Sequence, residues 1–90
     1  MRYELHPEAE LELTEAALRY ESLVPNLGPH FANEVERVIG ILLEHPGAGA
    51  LVDNELRHFA LRRFPFSVVY AAHGDLLFIL AIAHGSREPE

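Results

Sequence analysis

Phe66-Ser67-Val68-Val69-Tyr70-Ala71-Ala72, then His73-Gly74-Asp75, then Leu76-Leu77-Phe78-Ile79-Leu80-Ala81-Ile82-Ala83 is the stretch that decides the fold. β-Branched and aromatic residues fill the first run, His73-Gly74-Asp75 is a tight-turn signal, and the second run is apolar without interruption. Two such runs across so short a turn predict an antiparallel hairpin. The second strand, apolar on both faces, is expected to be central or covered on both sides. Upstream, Phe59 and Leu61 alternate with His58, Ala60 and Arg62, which adds a third strand and completes an antiparallel meander.

The N-terminal half has a different period. Arg2 to His6 reads as a short strand. Pro7 then occupies a favoured first helical position, with Glu8, Glu10 and Glu12 at the positive end of the helix dipole. Ala9, Leu13, Ala16, Ala17, Tyr20 and Leu23 mark one helical face, and Glu8, Glu12, Glu15 and Arg19 mark the other. Glu8, Glu10, Glu12 and Glu15 read most simply as a solvated surface. Val24-Pro25-Asn26-Leu27-Gly28-Pro29 breaks this helix. Phe31, Val35, Val38, Ile39 and Leu42 define a second one, which stops at His45-Pro46-Gly47. Helices joined so closely form an antiparallel hairpin. Gly40, inside the second helix, is a candidate for a close approach to the first helix or to the sheet. Gly47 to Asn54 reads as a loop. The expected fold class is therefore α+β, in the order β-α-α-β-β-β, with a helical hairpin packed on a small, twisted, mainly antiparallel sheet of four strands.

Ninety residues accommodate one domain, spanning 1–90, and a 49% hydrophobic content is that of a globular chain. With no cysteine, neither a disulfide nor a thiolate metal site can supplement the small core. The opening Arg2–His6 run has no basic and apolar leader, and Leu76 to Ala83 is too short to span a bilayer, so a cytoplasmic protein with no membrane role is expected. Charge is informative by position. Residues 1–54 carry three arginines against ten carboxylates and hold all of the net −7, whereas residues 55–90 are neutral and contain Arg57, Arg62, Arg63 and Arg87. There is no lysine, so every fixed positive side chain is a guanidinium suited to bidentate contact with carboxylate or phosphate. A strongly basic face for general nucleic-acid binding is lacking; any cationic patch is local.

Leu56-Arg57, then Leu61-Arg62-Arg63-Phe64-Pro65-Phe66-Ser67-Val68-Val69-Tyr70, then Ile79 and Ile82-Ala83-His84 with Arg87 and Pro89 resemble the C-terminal half of the RelE/ParE toxins of type II toxin–antitoxin modules. Pro7-x-Ala9, Tyr20, Gly28 with Phe31 and Ala32, and Pro46 extend the resemblance over essentially the whole chain, and the pattern sits closer to the ParE side. The resemblance implies a growth-inhibiting toxin of the kind associated with plasmid stabilization, neutralised by a cognate antitoxin that wraps its working surface. The implied target is DNA gyrase for a ParE-like member, or the ribosome and its messenger RNA for a RelE-like endoribonuclease. A degenerate, non-toxic binding module is the third reading. A homodimer and a toxin–antitoxin hetero-oligomer both stay open.

RNA cleavage by a 2′-hydroxyl needs a base, an acid and cations that stabilise the phosphorane. The candidates are Arg57, Arg62, Arg63 and Arg87 as cations, His84 or Glu88 as base, and Tyr70 or His84 as acid. Tyr70 reads first as a core aromatic with a satisfied hydroxyl. His84 reads equally as a strand-end structural residue and as a functional one. Arg62 and Arg63, adjacent on a strand, would face opposite sides unless a bulge intervenes. The binding reading assigns Arg57, Arg62, Arg63, His84 and Arg87 to the surface presented to target and antitoxin. Six histidines show no metal-ligand spacing, so no metal is expected, and no cofactor motif is present.

Overall fold

Gly74 adopts φ 60° in the two-residue connection between β4 (Phe66–His73) and β5 (Leu76–His84), a backbone conformation that only glycine takes without steric cost. The predicted hairpin thus forms where the turn chemistry placed it. The structure, a computed structural model, describes residues 1–85. Before the hairpin come β1 (Arg2–Leu5), α1 (Pro7–Leu23), α2 (Leu27–Glu44), β2 (Ala50–Leu51) and β3 (Arg57–Ala60). The sheet order is β1-β5-β4-β3-β2; β1 runs parallel to β5, and the other pairs are antiparallel. The α+β class and the element order are as expected, with one strand more than the sequence indicated. β5 is an interior strand between β1 and β4.

The additional strand overturns the reading of 47–54 as a plain loop. Ala50 and Leu51 pair with His58 and Arg57, and the intervening turn is closed by the Asp53 carboxylate, which accepts from the Leu56 N–H at 2.8 Å and the Glu55 N–H at 2.9 Å. These two bonds hold Asp53 below the usual carboxylate range, the Leu56 bond contributing most. Below β2, the fully buried Tyr70 hydroxyl donates to the Pro46 carbonyl at 2.7 Å and accepts from the Gly49 N–H at 2.9 Å. The segment is therefore pinned by a side chain more than twenty residues away.

α1 begins as expected: the His6 Nδ1 accepts from the Glu8 N–H at 3.1 Å, and Pro7 is its first residue. Its inner face buries Ala9 and Ala16, but Leu23, expected inside, is 68% exposed because the helix there runs past the edge of the core. The breaker cluster is shorter than its composition suggests. Asn26 turns the chain at φ 73°, and α2 already starts at Leu27, since Pro29 lacks only an N–H that a first helical turn leaves unpaired. The Asn26 side chain caps nothing. Instead Glu21 of α1 reaches across, accepting from the Asn26 N–H at 3.0 Å and the Gly28 N–H at 2.9 Å. Those two bonds lower its pKa, Asn26 contributing most.

The close approach between the helices falls at Gly28 and not at Gly40. A Cβ on Gly28 would stand 2.7 Å from the Ala17 carbonyl oxygen, whereas one on Gly40 would meet nothing within 4 Å. The core lies between hairpin and sheet, with Phe31, Val35, Val38 and Leu42 of α2 and Val68, Tyr70, Leu77 and Ile79 of the sheet at or near zero exposure. Register along β5 shifts once: Val69 pairs with Ala81 but Tyr70 with Ile79, which leaves Leu80 as an extra residue. The buried positions accordingly change parity, from Leu77 and Ile79 to Ile82.

Two sets of substitutions test this packing by urea unfolding. Gly40→Ala is expected to stabilise by about 1 kcal/mol and Gly28→Ala to destabilise by about 1–3 kcal/mol, through helix propensity in open space and overpacking against backbone respectively. Tyr70→Phe, which orphans the Gly49 N–H and Pro46 carbonyl, is expected to cost about 2 kcal/mol.

Candidate binding clefts

The sequence pointed to arginines, and the structure sorts them into separate places. β3 ends at Ala60, so Leu61 to Pro65 form a connection rather than the continuing strand that Phe59–Leu61 alternation suggested. Two short bonds close this connection, the Leu61 N–H to the Phe66 carbonyl at 2.9 Å and the Phe66 N–H to the Phe64 carbonyl at 2.8 Å. Within it Arg63 takes φ 70°, a left-handed conformation costing roughly 1–2 kcal/mol for a residue with a Cβ. The Phe64 ring, one residue on, packs at 5.0 Å from Tyr20 and 5.1 Å from Phe31. Arg62 and Arg63 therefore do not take opposite faces of a strand; both line one cleft.

The far wall of that cleft is α2, whose residues His30, Asn33, Glu34 and Arg37 follow one helical stripe flanking the buried Phe31–Val35–Val38 face. The cleft encloses about 250 Å³. Glu34, its side chain only 12% exposed, is the organising group. Its carboxylate accepts two parallel bonds from the Arg37 guanidinium, Nε to Oε1 and Nη2 to Oε2, both at 2.8 Å, and a third from the Arg62 backbone N–H at 2.6 Å. Arg37 is the largest cause of a lowered Glu34 pKa, and the Arg62 N–H and both arginine charges act in the same direction against the opposing effect of burial. The same pair raises the pKa of Arg37. One guanidinium, that of Arg37, thus clamps the carboxylate, and the exposed Arg62 and Arg63 line the same cleft.

A second, larger cleft of about 600 Å³ lies between α1 and the end of the sheet, lined by Glu12, Glu15, Arg19, Phe66, Ile82 and His84 among others. His84 sits here, its ring 5.0 Å from that of Phe66. Glu12, expected on a solvated face, instead accepts from the Ile82 N–H at 2.8 Å. Its neighbours Glu8, Glu10 and Glu15 are exposed as expected.

The remaining candidates lie elsewhere. Arg57, half-buried at the opposite end of β3 from Arg62, donates from Nη1 to the Gly49 carbonyl at 2.8 Å and to the Gly47 carbonyl at 3.3 Å, and so ties the 47–51 segment to the sheet. Tyr70 is beneath that segment with its one hydroxyl proton committed to Pro46. Arg87 and Glu88 lie outside the described residues. Arg62, His84 and Tyr70 are therefore in three different surroundings and do not converge on one point. What the clefts offer is binding: guanidinium pairs for an anionic group in one, and an apolar floor with a mixed-charge rim in the other. His30 and Arg37 were not singled out from the sequence, although their i, i+7 spacing on the outer face of α2 was a usable signal.

These features define a small two-helix domain on a five-stranded mixed sheet with two surface clefts. The family model described as ParE toxin of type II toxin-antitoxin system, parDE, matches residues 3–89, and the chain belongs to this family. In three dimensions it is similar to a chain in the structure of the chromosomal ParDE TA system from P. aeruginosa, with a TM-score of 0.80 and 23% identity over 93% of this chain and 95% of that one. Among curated proteins none matches. No helix among the described residues is long and apolar enough to cross a membrane.

The Glu34 clamp gives a pH dependence with a definite sign. Its folded pKa lies below the unfolded value, so the stabilisation is fully present above about pH 4.3, the ordinary value for glutamate, and is lost as pH falls through the lower folded value. Denaturant unfolding should show Glu34→Gln less stable than the parent at pH 7, with the gap narrowing as the pH is lowered below the ordinary glutamate range.

Proposed function

We propose that this ParE-family toxin is held inactive by a cognate antitoxin that covers both clefts, and that it inhibits growth by binding DNA gyrase in the cytoplasm, not by cutting RNA. The observation that carries the binding half of this reading is the single cleft lined by Arg37, Arg62 and Arg63, with Glu34 already paired to Arg37, in a chain of net charge −7. A cationic patch isolated in an acidic molecule attracts a carboxylate-bearing segment and repels generic binding elsewhere on the surface. Arg62 and Arg63 are the primary contacts, and His84 lies in the second cleft that the same antitoxin would cover. Arg57 acts indirectly, by holding the 47–51 segment. Arg87, outside the described residues, is tested with them. The separation of Arg62, Tyr70 and His84 speaks for a toxin acting by occupancy rather than by RNA chemistry, which needs acid and base on one phosphate.

The test is expression of the chain with and without the product of the adjacent reading frame. Growth arrest relieved by co-expression is expected, with a toxin–antitoxin hetero-oligomer on gel filtration. Replacing Arg62 and Arg63 by alanine together should weaken antitoxin binding by about 10- to 100-fold, the loss expected for one or two charge-assisted bonds. Arg57→Ala and Arg87→Ala should act more weakly. Purified toxin is expected to inhibit gyrase supercoiling while translated messages stay intact. Codon-specific cuts on primer extension would replace this reading with the endoribonuclease one, and absence of any growth defect would reduce the chain to a binding module.

A further inference from the structure

β1 flanks β5 only from Leu76 to Ile79, because the chain turns into α1 at Pro7, while β5 runs on to His84. The extra residue at Leu80 then inverts the alternation, and the Ile82 N–H points away from β4, toward the side that β1 has vacated. Among the described residues no strand receives it; the Glu12 carboxylate, seventy residues earlier, accepts it at 2.8 Å. A side chain here performs the task of a neighbouring strand's carbonyl. Beside it lies the 600 Å³ cleft, with Ala16, Phe66 and Ile82 as an apolar floor, Glu12 and Glu15 on the rim toward the start of α1, and Arg19 further along the same helix.

We infer that this end of β5 is a strand-addition site, at which an extended segment of the antitoxin displaces Glu12 from the Ile82 N–H and lays an apolar side chain over Phe66 and Ile82. The inference rests on the antitoxin reading above. An extended occupant follows from the edge: the donor is a backbone amide of a strand, and main-chain pairing supplies affinity while alternate side chains supply specificity. Its charge follows from the rim. A basic side chain flanking the apolar anchor meets Glu12, once released, together with Glu15, and an acceptor on the other flank meets Arg19. This segment is therefore basic where it crosses the start of α1, opposite in character to the carboxylates that pair with Arg62 and Arg63.

Amide hydrogen exchange at Ile82, followed by NMR on labelled toxin alone and bound to its co-expressed antitoxin, tests the inference. In free toxin, Glu12→Ala should speed Ile82 exchange by about tenfold or more, since one hydrogen bond is removed, and Glu12→Gln, which keeps an acceptor, should restore most of the protection. In the complex, the Ile82 amide of Glu12→Ala should exchange about as slowly as that of the parent, because the added strand has taken over. Replacing Glu12 and Glu15 by arginine together should weaken the complex by about tenfold or more. If the antitoxin binds Glu12→Ala normally while its Ile82 amide exchanges at the free rate, strand addition is wrong and the antitoxin reading survives. Equal exchange in free parent and free Glu12→Ala also overturns it, and tight binding by the double arginine variant overturns the basic segment. A parent toxin that binds no antitoxin at all defeats the underlying reading itself.

Discussion

Four aromatic rings carry the architecture: Tyr20 from α1, Phe31 from α2, Phe64 from the β3–β4 connection and Phe66 from β4. Phe31 is fully buried at their centre, with ring centroids 5.3 Å from Tyr20 and 5.1 Å from both Phe64 and Phe66. The contacts to Phe64 and Phe66 are edge-to-face, the arrangement that ring quadrupoles favour, and each such pair contributes about 0.5–1.5 kcal/mol beyond area burial. The cluster joins hairpin, loop and sheet in one contact. It also fixes both clefts, since Phe64 anchors the loop that presents Arg62 and Arg63, and Phe66 forms the floor beneath His84.

That arrangement explains why the arginines are where they are. A loop carrying two adjacent guanidinium groups gains nothing from folding back against a helix unless something offsets their repulsion and the left-handed turn at Arg63. The burial of Phe64 supplies part of the offset, and the Glu34 carboxylate, bonded to the Arg62 backbone and clamped by Arg37, supplies the rest. The Arg62 backbone is held while its side chain faces solvent. Orientation comes from the backbone bond, so the guanidinium stays available to a partner.

The sequence was legible wherever structure is set by neighbours in the chain. Pro7 opens α1, the i, i+4, i+7 spacing of Phe31, Val35 and Val38 buries α2, and Gly74 makes the hairpin turn; each is decided within about seven residues. What could not be read is set by distant partners. β2 exists because Tyr70, on β4, and Arg57, on the neighbouring β3, grip its lead-in, and a two-residue strand has too few positions for an alternating pattern to show. Glu12 was indistinguishable from Glu8 and Glu15 by helical position, because the Ile82 amide it meets was displaced by a one-residue bulge at Leu80 that leaves no signature in an apolar run. Gly28 and Gly40 likewise differ only in what the opposing helix places against them. For the site, the residue type was readable and the grouping was not: Arg62 and Arg63 stood out, whereas their partners His30, Glu34 and Arg37 come from a helix some thirty positions earlier.

The two clefts also show why net charge was a poor guide to what this chain can bind. Screening confines exposed charges to a range of about 8–10 Å at physiological salt, so a partner segment senses the nearest few side chains and not the total. On one side of the aromatic cluster it meets Arg37, Arg62 and Arg63 with a carboxylate already engaged by Arg37; on the other it meets Glu12 and Glu15, with Arg19 further along α1. A single polypeptide crossing from one cleft to the other must therefore change the sign of its own side chains along its length. Such a pattern discriminates better than uniform charge of either sign, because sliding the segment or reversing its direction sets like charges against one another at both ends. A segment of uniform charge would meet repulsion at one cleft or the other, and the aromatic cluster, with Phe64 lining one cleft and Phe66 the other, lies between the two sets of charges.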